Sequence, residues 1–444
     1  MNPWRILLSF LALLGLALSS CSPSVPSPVV PAAEPPSGQT AASNLGRNLS
    51  PAVPAGDSAQ LVADNTAFAF DFYAAVRGDD GNLICSPYSL SLALAMTYAG
   101  ARRETERQMA ATLHFSLPQE RLHPAFNALD LELANRPAQA ADVDPQNRFE
   151  LSLVNALWGQ QGLGFQPDFL DTLALNYGAG MRLVDYAADP EAARQAINRW
   201  TSQETRQRIE ELLPRGILDY DTRLVLVNVI FFQAGWLFPF DETLTSQASF
   251  TRLDGSQVQV PRMAMRETPT LAYASGDGWQ AVSLPYAGRM AEMVVIVPDP
   301  GRFTDFEAGL NAGRYAQILA GLQPRAVRVE MPAFEFSRDF MLRETLRQMG
   351  MDEPFTPGLA DFSGMTTEEA LFISQVVHKA FISVDEAGTE AAAATAVVMA
   401  RESAVLSDAE VVLTIDRPFF FIIRDAPTGT ILFLGRVLDP TAGD

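Results

Sequence analysis

Histidine, cysteine and lysine are scarce in this chain of 444 residues, and each shortage narrows the chemistry available to it. With only His114, His123 and His378, a histidine-based metal site or a serine–histidine dyad has few candidates. No glycine-rich loop follows a predicted strand in the way that a phosphate-binding loop does. Carboxylates are plentiful, but the sequence shows no catalytic pairing among them. We therefore expect a protein that is not an enzyme and that uses no metal or other cofactor.

Positive charge is also in short supply. Lys379 is the single lysine, and 52 acidic against 32 basic residues leave a net charge of −20 at pH 7. Because no basic patch is present to neutralise phosphates, we expect no nucleic-acid partner. Hydrophobic residues make up 48% of the chain and aromatic residues 9%, which is typical of a folded protein.

The pattern of the N-terminal residues predicts an export signal. Arg5 precedes an apolar run at 6–18, which at about 1.5 Å per residue is too short to cross a hydrocarbon core of about 30 Å. A charged start, a short apolar stretch and small residues after it are typical of a secretory signal. The tetrapeptide LSSC that ends at Cys21 resembles a bacterial lipobox, which would attach a lipid to Cys21. The alternative is an ordinary signal peptide in which this cysteine occurs by chance.

Composition divides the chain into three parts. Residues 1–20 are the signal peptide, 21–58 are a tether rich in proline, serine and alanine, and 59–444 are the folded domain. If Cys21 carries a lipid, Cys85 has no disulfide partner, and we expect it to be a buried and inert thiol. We expect an exported, extracytoplasmic monomer that reaches a membrane only through its N-terminal lipid, at the bacterial cell envelope or surface.

Helical patterns are concentrated early in the folded part and strand patterns late, which favours the α+β class. Residues 62–77 have helical spacing, with Asp64 or Asn65 as the candidate cap. Residues 86–113 predict a buried helix, a break at Gly100 and an amphipathic helix. Strands are predicted at 148–159, 223–236, 292–299, 326–336 and 371–385, followed by a C-terminal hairpin at 417–440 that turns at 426–429.

Residues 386–403, EAGTEAAAATAVVMARES, consist mainly of small residues and contain no aromatic side chain. As a helix this segment would be marginal, because its alanines offer little apolar surface to pack. As a strand it has small side chains on both faces and no charge between Glu390 and Arg401. Gly388 gives the backbone freedom to reverse direction at the start of the segment. The segment is therefore suited to two states, an outside loop and a strand inside an existing sheet.

A series of motifs in order makes residues 59–440 resemble the serpin family. They are NLICSPYSLSLALAMTYAGARRETERQM, LVLVNVIFFQAGW with the later Phe240 and Phe250, SLPYAGRMAEMVVIVPD, MPAFEF, VVHKAFISVDEAGTEAAAATA, RPFFFIIRD and FLGRVLDP. The resemblance implies a serpin fold, with three β-sheets, about nine helices and an exposed reactive-centre loop at about 386–416.

The resemblance also implies an activity, the irreversible, suicide-type inhibition of serine proteases. The target cuts the loop and forms an acyl-enzyme, and the freed loop then inserts into the central sheet and traps the protease. The uncut protein would be metastable and would persist for kinetic reasons. Neither charge nor proline interrupts residues 391–394, which favours an inhibitor. The alternative is a non-inhibitory serpin that acts as a binding or carrier module.

Residue roles follow from the same resemblance. The hinge begins with Glu386 and Gly388, and Thr389 is the first residue that must enter the sheet. The rest of the insertion track is Glu390, Ala391, Ala392, Ala393, Ala394 and Thr395. Trp236 matches a tryptophan at the breach, where the loop enters. Four polar residues match the shutter cluster that holds the strands together before opening: Ser86, Ser89, Asn228 and His378.

The bond that is cut follows from the family spacing counted from Gly388. That spacing puts it between Glu402 and Ser403, which would suit an elastase-like or glutamate-accepting protease. A loop one residue shorter puts it between Arg401 and Glu402, which would suit a trypsin-like protease with an acidic pocket. The segment 403–417 is longer than in many relatives, so both positions stay open.

The C-terminal fragment released by a target protease identifies this bond. We expect its N-terminal sequence to begin at Ser403, because the family spacing puts the cut directly before that residue. A fragment that begins at Glu402 would instead assign Arg401 as the reactive residue. N-terminal sequencing of the fragment makes the distinction, and a start at any other residue would contradict both assignments.

Overall fold

The structure is a computed structural model that describes residues 39–78, 81–140, 143–144, 147, 149–389 and 410–443. Some of the predicted functional residues lie outside the described residues. They are the lipid-attachment residue Cys21, the track residues Glu390, Ala391, Ala392, Ala393, Ala394 and Thr395, and the reactive-bond residues Arg401, Glu402 and Ser403.

The described residues contain ten α-helices, close to the expected number. They are α1 (Asp57–Val76), α2 (Pro87–Tyr98), α3 (Arg103–Thr112), α4 (Gln119–Ala134), α5 (Arg136–Gln139), α6 (Pro167–Tyr177), α7 (Pro190–Glu204), α8 (Phe303–Ala308), α9 (Ala312–Gly321) and α10 (Arg343–Gln348). Helix α2 is buried along its whole length, as predicted from its mostly apolar sequence. It begins with Pro87 at the first helical position, and the Ser86 hydroxyl caps it by accepting from the Ser89 N–H.

Seven strands form the central sheet. In spatial order they are β1 (Gln39–Ala41), β4 (Met181–Val184), β3 (Glu150–Gln160), β5 (Leu224–Gly235), β14 (Gly388–Thr389), β13 (Gln375–Val384) and β12 (Phe334–Met341). The pairs β3–β5 and β12–β13 are antiparallel, whereas β5 and β13 pair directly in parallel along part of their length.

Ten further strands form a second network. They are β2 (Leu83–Cys85), β17 (Ile431–Val437), β16 (Phe419–Asp425), β10 (Ala291–Pro298), β9 (Trp279–Pro285), β8 (Thr270–Gly276), β11 (Gln323–Pro332), β7 (Gln257–Ala264), β6 (Ser246–Thr251) and β15 (Val411–Thr414). The first residues of β11 pair with β8 and its later residues pair with β7 and β15, so the network divides there into two sheets. The α+β class with three sheets is thus confirmed.

The central sheet is buried on both faces, because side chains of β5 alternate between two apolar clusters. Leu224, Leu226 and Ile230 face the main core, which also holds α2 and the second network. Val225, Val227 and Val229 face a smaller cluster beneath α7. Helix α7 therefore covers the outer face of the sheet, and α2 lies on the inner side.

Two local predictions are wrong. Helix α1 begins at Asp57, so Asp64 and Asn65 lie inside it and neither is its cap. Their side chains accept tertiary hydrogen bonds instead: Asp64 Oδ2 from the Ser116 hydroxyl at 2.8 Å, and Asn65 Oδ1 from the Ser91 hydroxyl at 2.6 Å. The predicted strand at 326–336 is two strands, because β11 ends at Pro332 and β12 begins at Phe334 in a different sheet.

Both ends of the predicted loop are held in sheets, β14 at its start and β15 near its end. Cys85 is fully buried, and burial raises the pKa of its thiol, as expected for an inert cysteine. Within the described residues, no helix is both long and apolar enough to cross a bilayer. The same residues contain no cluster of three histidine, cysteine or acidic side chains that could hold a metal ion.

Candidate functional site

The candidate site is the line along which β5 meets β13, which we call the seam. Residues 225–230 of β5 pair in parallel with residues 375–380 of β13, and this pairing closes the seam at one end. At the other end β14 lies between the two strands, with Thr389 opposite both Ala234 and Val384. Strand β14 is antiparallel to both neighbours. The start of the predicted loop therefore already occupies the open end of the seam.

His378 holds the closed part of the seam through both of its ring nitrogens. Its Nε2 accepts from the Ser86 backbone N–H at 3.0 Å, so Nε2 carries no proton. Its Nδ1 therefore carries the hydrogen and donates to Asn228 Oδ1 across the seam at 2.5 Å. The residue is fully buried, and burial lowers the pKa of the imidazole to about 4. His378 is therefore neutral at pH 7.

The amide group of Asn228 extends this link to α2 and β3. Its Nδ2 donates to the Ser89 hydroxyl at 2.5 Å and also to Asn155 Oδ1. The Ser89 N–H in turn donates to the Ser86 hydroxyl at 3.3 Å. The structure thus brings all four predicted shutter residues into one hydrogen-bonded cluster.

Asn155 belongs to this cluster and was not predicted from the sequence. It lies directly opposite Asn228 in the β3–β5 pairing, as Asn228 lies opposite His378. A signal for it was present, because Leu153-Val154-Asn155 of β3 repeats the Leu226-Val227-Asn228 triplet of β5. Two neighbouring strands with the same triplet could have been expected to align their asparagines.

The breach lies at the open end of the seam, about 20 Å from His378 along β13. Trp236 stacks on Tyr286 with ring centroids 4.5 Å apart and an interplanar angle of 10°. Its indole N–H donates to the Asp385 carbonyl oxygen at 3.0 Å, and its backbone N–H donates to the Ala387 carbonyl oxygen at 2.8 Å. Trp236 therefore binds the hinge directly, through side chain and backbone.

The hinge turn is satisfied by further hydrogen bonds. Asp385 Oδ1 accepts from the backbone N–H of Ala387 at 2.9 Å and of Gly388 at 3.0 Å, while partial burial raises the pKa of this carboxyl. The Glu386 carbonyl oxygen accepts from the Phe240 N–H at 3.0 Å, and the Glu386 carboxylate accepts from the Thr245 hydroxyl at 2.5 Å. These four hydrogen bonds fix the turn that leads the chain into the seam.

Gly388 and Thr389 fit the open end tightly. A Cβ on Gly388 would lie 2.2 Å from the Ala234 carbonyl oxygen, so no larger residue fits here without a backbone shift. The Thr389 side chain is buried, and its hydroxyl shares a 2.7 Å hydrogen bond with the Tyr286 hydroxyl. Tyr286 is itself fully buried, and burial raises its pKa. Its role was not predicted, although the motif SLPYAG contains it.

The first residues after the hinge turn, Gly388 and Thr389, thus lie as a short strand between β5 and β13. The model of the family described as serpin (serine protease inhibitor) matches residues 63–440. The chain belongs to the serpin family.

Curated relatives match over most of their length. A serpin-like protein of Thermococcus kodakarensis is 36% identical over 388 residues, which cover 87% of this chain and 88% of that protein. The leukocyte elastase inhibitor of Homo sapiens is 34% identical over 392 residues, which cover 86% of this chain and all of the inhibitor.

Solved structures agree with the family. The thermophilic serpin tengpin in its native state matches with a TM-score of 0.76 and 26% identity, covering 90% of this chain and 100% of tengpin. Thyroxine-binding globulin in complex with thyroxine matches with a TM-score of 0.74 and 29% identity, covering 86% of this chain and 100% of the globulin.

The buried histidines predict how stability depends on pH. Burial lowers the pKa of His378 and of His123 to about 4, below the value of about 6.5 in an unfolded chain. Their contribution is complete above pH ~6.5 and is lost as the pH falls towards ~4, by up to about 3 kcal/mol for each histidine. We expect the urea unfolding midpoint to fall less between about pH 7 and about pH 4.5 in His378→Gln than in the wild type.

The control for this measurement is Ser249→Ala, which removes an exposed hydroxyl bonded to Gln259 and no ionisable group. It should keep the pH dependence of the wild type. Equal pH dependence in His378→Gln and the wild type would show that the shutter histidine is not held neutral by burial.

The Tyr286–Thr389 hydrogen bond should stabilise the position of Thr389 between β5 and β13, which we call the seated hinge. In Tyr286→Phe the buried Thr389 hydroxyl loses its partner, which should destabilise the seated hinge by about 1–3 kcal/mol. We expect the backbone amides of Gly388 and Thr389 to exchange with deuterium about tenfold faster or more. Tyr273→Phe, which removes a hydroxyl bonded to Gln280 outside the site, is the matched control. Unchanged exchange at both amides would show that this hydrogen bond does not hold Thr389 between β5 and β13.

Proposed function

We propose that this chain is an irreversible, suicide-type inhibitor of serine proteases. A target cleaves the loop between β14 and β15 and forms an acyl-enzyme, and the loop then inserts between β5 and β13 while the protease stays attached. One observation carries the proposal: β14 lies in the seam as an antiparallel strand between two strands that pair in parallel further along.

The register of β14 supports the proposed insertion track. If Thr389, which faces Ala234 and Val384, is followed by the rest of the loop in the same register, Thr395 comes opposite Asn228 and His378. Ala391, Ala393 and Thr395 then share the inner face with Thr389, because side chains alternate along a strand. These residues are small. Small side chains suit this face of the strand, because helix α2 already lies beneath it.

Strand pairing supplies a driving force for the insertion. The uncut sheet joins β5 to β13 by one parallel ladder, and an inserted strand replaces it with two antiparallel ladders. Antiparallel pairing is slightly more stable per residue, and an inserted strand pairs its own backbone N–H and C=O groups with both neighbours. The inserted state is therefore lower in free energy, and the chain persists uncut because the seam must first open.

The shutter cluster sets part of that barrier. Insertion as far as Thr395 requires the His378–Asn228 hydrogen bond to break, while Ser86 and Asn155 lose partners if the cluster separates. Each buried polar group left without a partner costs about 1–3 kcal/mol. We propose that these groups keep the seam closed until cleavage frees the loop.

In this mechanism the covalent chemistry belongs to the target, so we propose that the chain itself is not an enzyme. The curated relatives include proteins named as inhibitors of leukocyte elastase, which supports an elastase-like target. Such a target agrees with Glu402 as the residue before the cut. Arg401 with a trypsin-like target is the alternative that fragment sequencing distinguishes.

A carrier role is the second candidate, because thyroxine-binding globulin shares the fold and its structure holds thyroxine. Small-molecule sites have volumes of about 300–1,000 Å³. A cavity between β3, β5 and the end of α7, lined by Glu150, Arg206 and Phe231 among others, has a volume of ≈ 20 Å³, which is room for about one water molecule. This cavity does not favour a carrier.

We further propose that the chain is an exported bacterial lipoprotein that works as a monomer at the cell envelope. The short apolar run at 6–18 and the tetrapeptide ending at Cys21 support the signal and the lipid. The composition of residues 22–38 supports a tether between the lipid and the folded domain.

Thr389→Arg tests the insertion mechanism. A guanidinium at this buried position should hinder entry of the loop, so the acyl-enzyme is hydrolysed before the protease is trapped. We expect the wild type to form an SDS-resistant complex with an elastase-like or trypsin-like protease. We expect the variant to be cleaved with about tenfold less complex or lower, as a barrier increase of about 1.4 kcal/mol would produce.

Thr389→Val is the matched control, since valine keeps a small β-branched side chain at the same position, and it should still form the complex. If the wild type is digested by every such protease without an SDS-resistant complex, the inhibitor proposal is overturned. If the arginine variant forms as much complex as the wild type, insertion through the hinge is overturned.

A further inference from the structure

Residues 39–49, which we call the clasp, lie against the folded domain although they belong to the stretch predicted to be a tether. Strand β1 pairs antiparallel with β4, with Gln39 opposite Leu183 and Ala41 opposite Met181. Without it, β4 would be the exposed edge of the central sheet. The family model matches residues 63–440, so the clasp lies outside the matched region.

Side chains and backbone fasten the rest of the clasp to helices. Arg47 binds α4 through an ion pair with Asp130 at 2.6 Å and a hydrogen bond from its Nε to Asn127 Oδ1 at 2.8 Å. Asn127 Nδ2 donates back to the Asn48 carbonyl oxygen at 2.7 Å. The Ser43 hydroxyl donates to Asp171 of α6 at 2.5 Å. Arg47 and Asp130 are each about one-fifth exposed, so their ion pair is only partly screened by solvent.

The turn between α6 and β4 is shaped to admit the clasp. A Cβ on Gly180 would lie 2.8 Å from the Ala41 carbonyl oxygen, so an alanine here would collide with the clasp backbone. Gly178 has a positive φ of 61°, and its Cβ would lie 3.1 Å from the Arg47 side chain. Two glycines thus provide the close approach that the clasp requires.

The clasp joins two parts of the molecule that seam opening would separate. Strand β4 is bonded to β3, and β3 to β5, so these strands move with β5 when it leaves β13. Helix α4 packs on α1, which packs on β17 of the second network, and it also packs on α6, the helix that precedes β4, so the clasp adds to an existing contact. A segment that is bonded to β4 at one end and to α4 at the other resists such a shift.

We propose that the β4 edge and the surface of α4 form a docking site for the clasp, and that the docked clasp keeps the seam closed. Its role rests on the proposed function, since the seam matters because the loop inserts there. Release of the clasp would lower the barrier to insertion without any change in the loop, the shutter or the breach.

Amide hydrogen exchange of the full chain tests the proposal without a protease. In Arg47→Glu the charge reversal places two carboxylates side by side, which should release the clasp. We expect the amides of β4 and of seam residues 375–380 to exchange at least about tenfold faster than in the wild type, equivalent to about 1.4 kcal/mol. Arg107→Glu, which makes the same change of charge at an exposed pair with Glu104 on α3, should leave both unchanged.

Two further variants separate docking from general destabilisation. Arg47→Glu with Asp130→Arg restores the ion pair in reverse and should restore slow exchange at β4 and at the seam. Gly180→Ala should release β1 by a steric route and reproduce the fast exchange.

Each outcome decides a different part of the proposal. Unchanged exchange at β4 in both single variants would overturn the docking site. Faster exchange at β4 with an unchanged seam would overturn its control of the seam, and faster exchange at both that is reversed by the double variant supports it. A failure of the inhibitor proposal is distinguishable, because it would appear as a missing protease complex and would leave these exchange rates as measured.

Discussion

The parallel ladder between β5 and β13 is the constraint on which the rest of the structure depends. It is the place where, in the proposed mechanism, the central sheet accepts another strand, and it is held by a small number of buried polar contacts centred on His378 and Asn228. Because those contacts join β5 to β13 against the start of α2, they strengthen the ladder, and in the proposed mechanism they separate when a strand enters. In the proposed mechanism this ladder persists in the uncut chain and opens after cleavage.

The two ends of the central sheet have complementary roles in this arrangement. At the open end of the seam, Trp236, Tyr286 and Asp385 hold the hinge so that β14 enters in one register. At the far edge of the sheet, we propose that the clasp restrains β4 and so opposes the separation of β5 from β13 that insertion requires. In the proposed mechanism, the seated strand lowers the cost of starting insertion, while the clasp and the shutter raise the cost of completing it. Metastability would then be a balance between the contacts that seat the hinge and those of the clasp and the shutter.

Much of the fold was predictable because its signals are local. The strands at 223–236 and 371–385, the C-terminal hairpin and the helical start of the domain all follow from patterns a few residues long. The errors arose where a local pattern was overruled by distant partners. Asp64 resembles a helix cap, yet it serves Ser116 far along the chain, and the strand at 326–336 divides because its two halves join different sheets. Asn155 and Tyr286 were missed because their roles exist only across strand pairings.

The sequence by itself determined the class of fold, the family and the character of the loop, since these depend on motifs, on alternation and on side-chain size. Only the tertiary structure decided that Thr389 is already seated between two strands, that three polar side chains share one row across the sheet, and that residues 39–49 pair with β4. The physical reason is how far apart in the chain the interacting residues lie. Side-chain size and alternation are properties of neighbours in the chain, whereas register and docking depend on hydrogen bonds between residues that the chain brings together only when it folds.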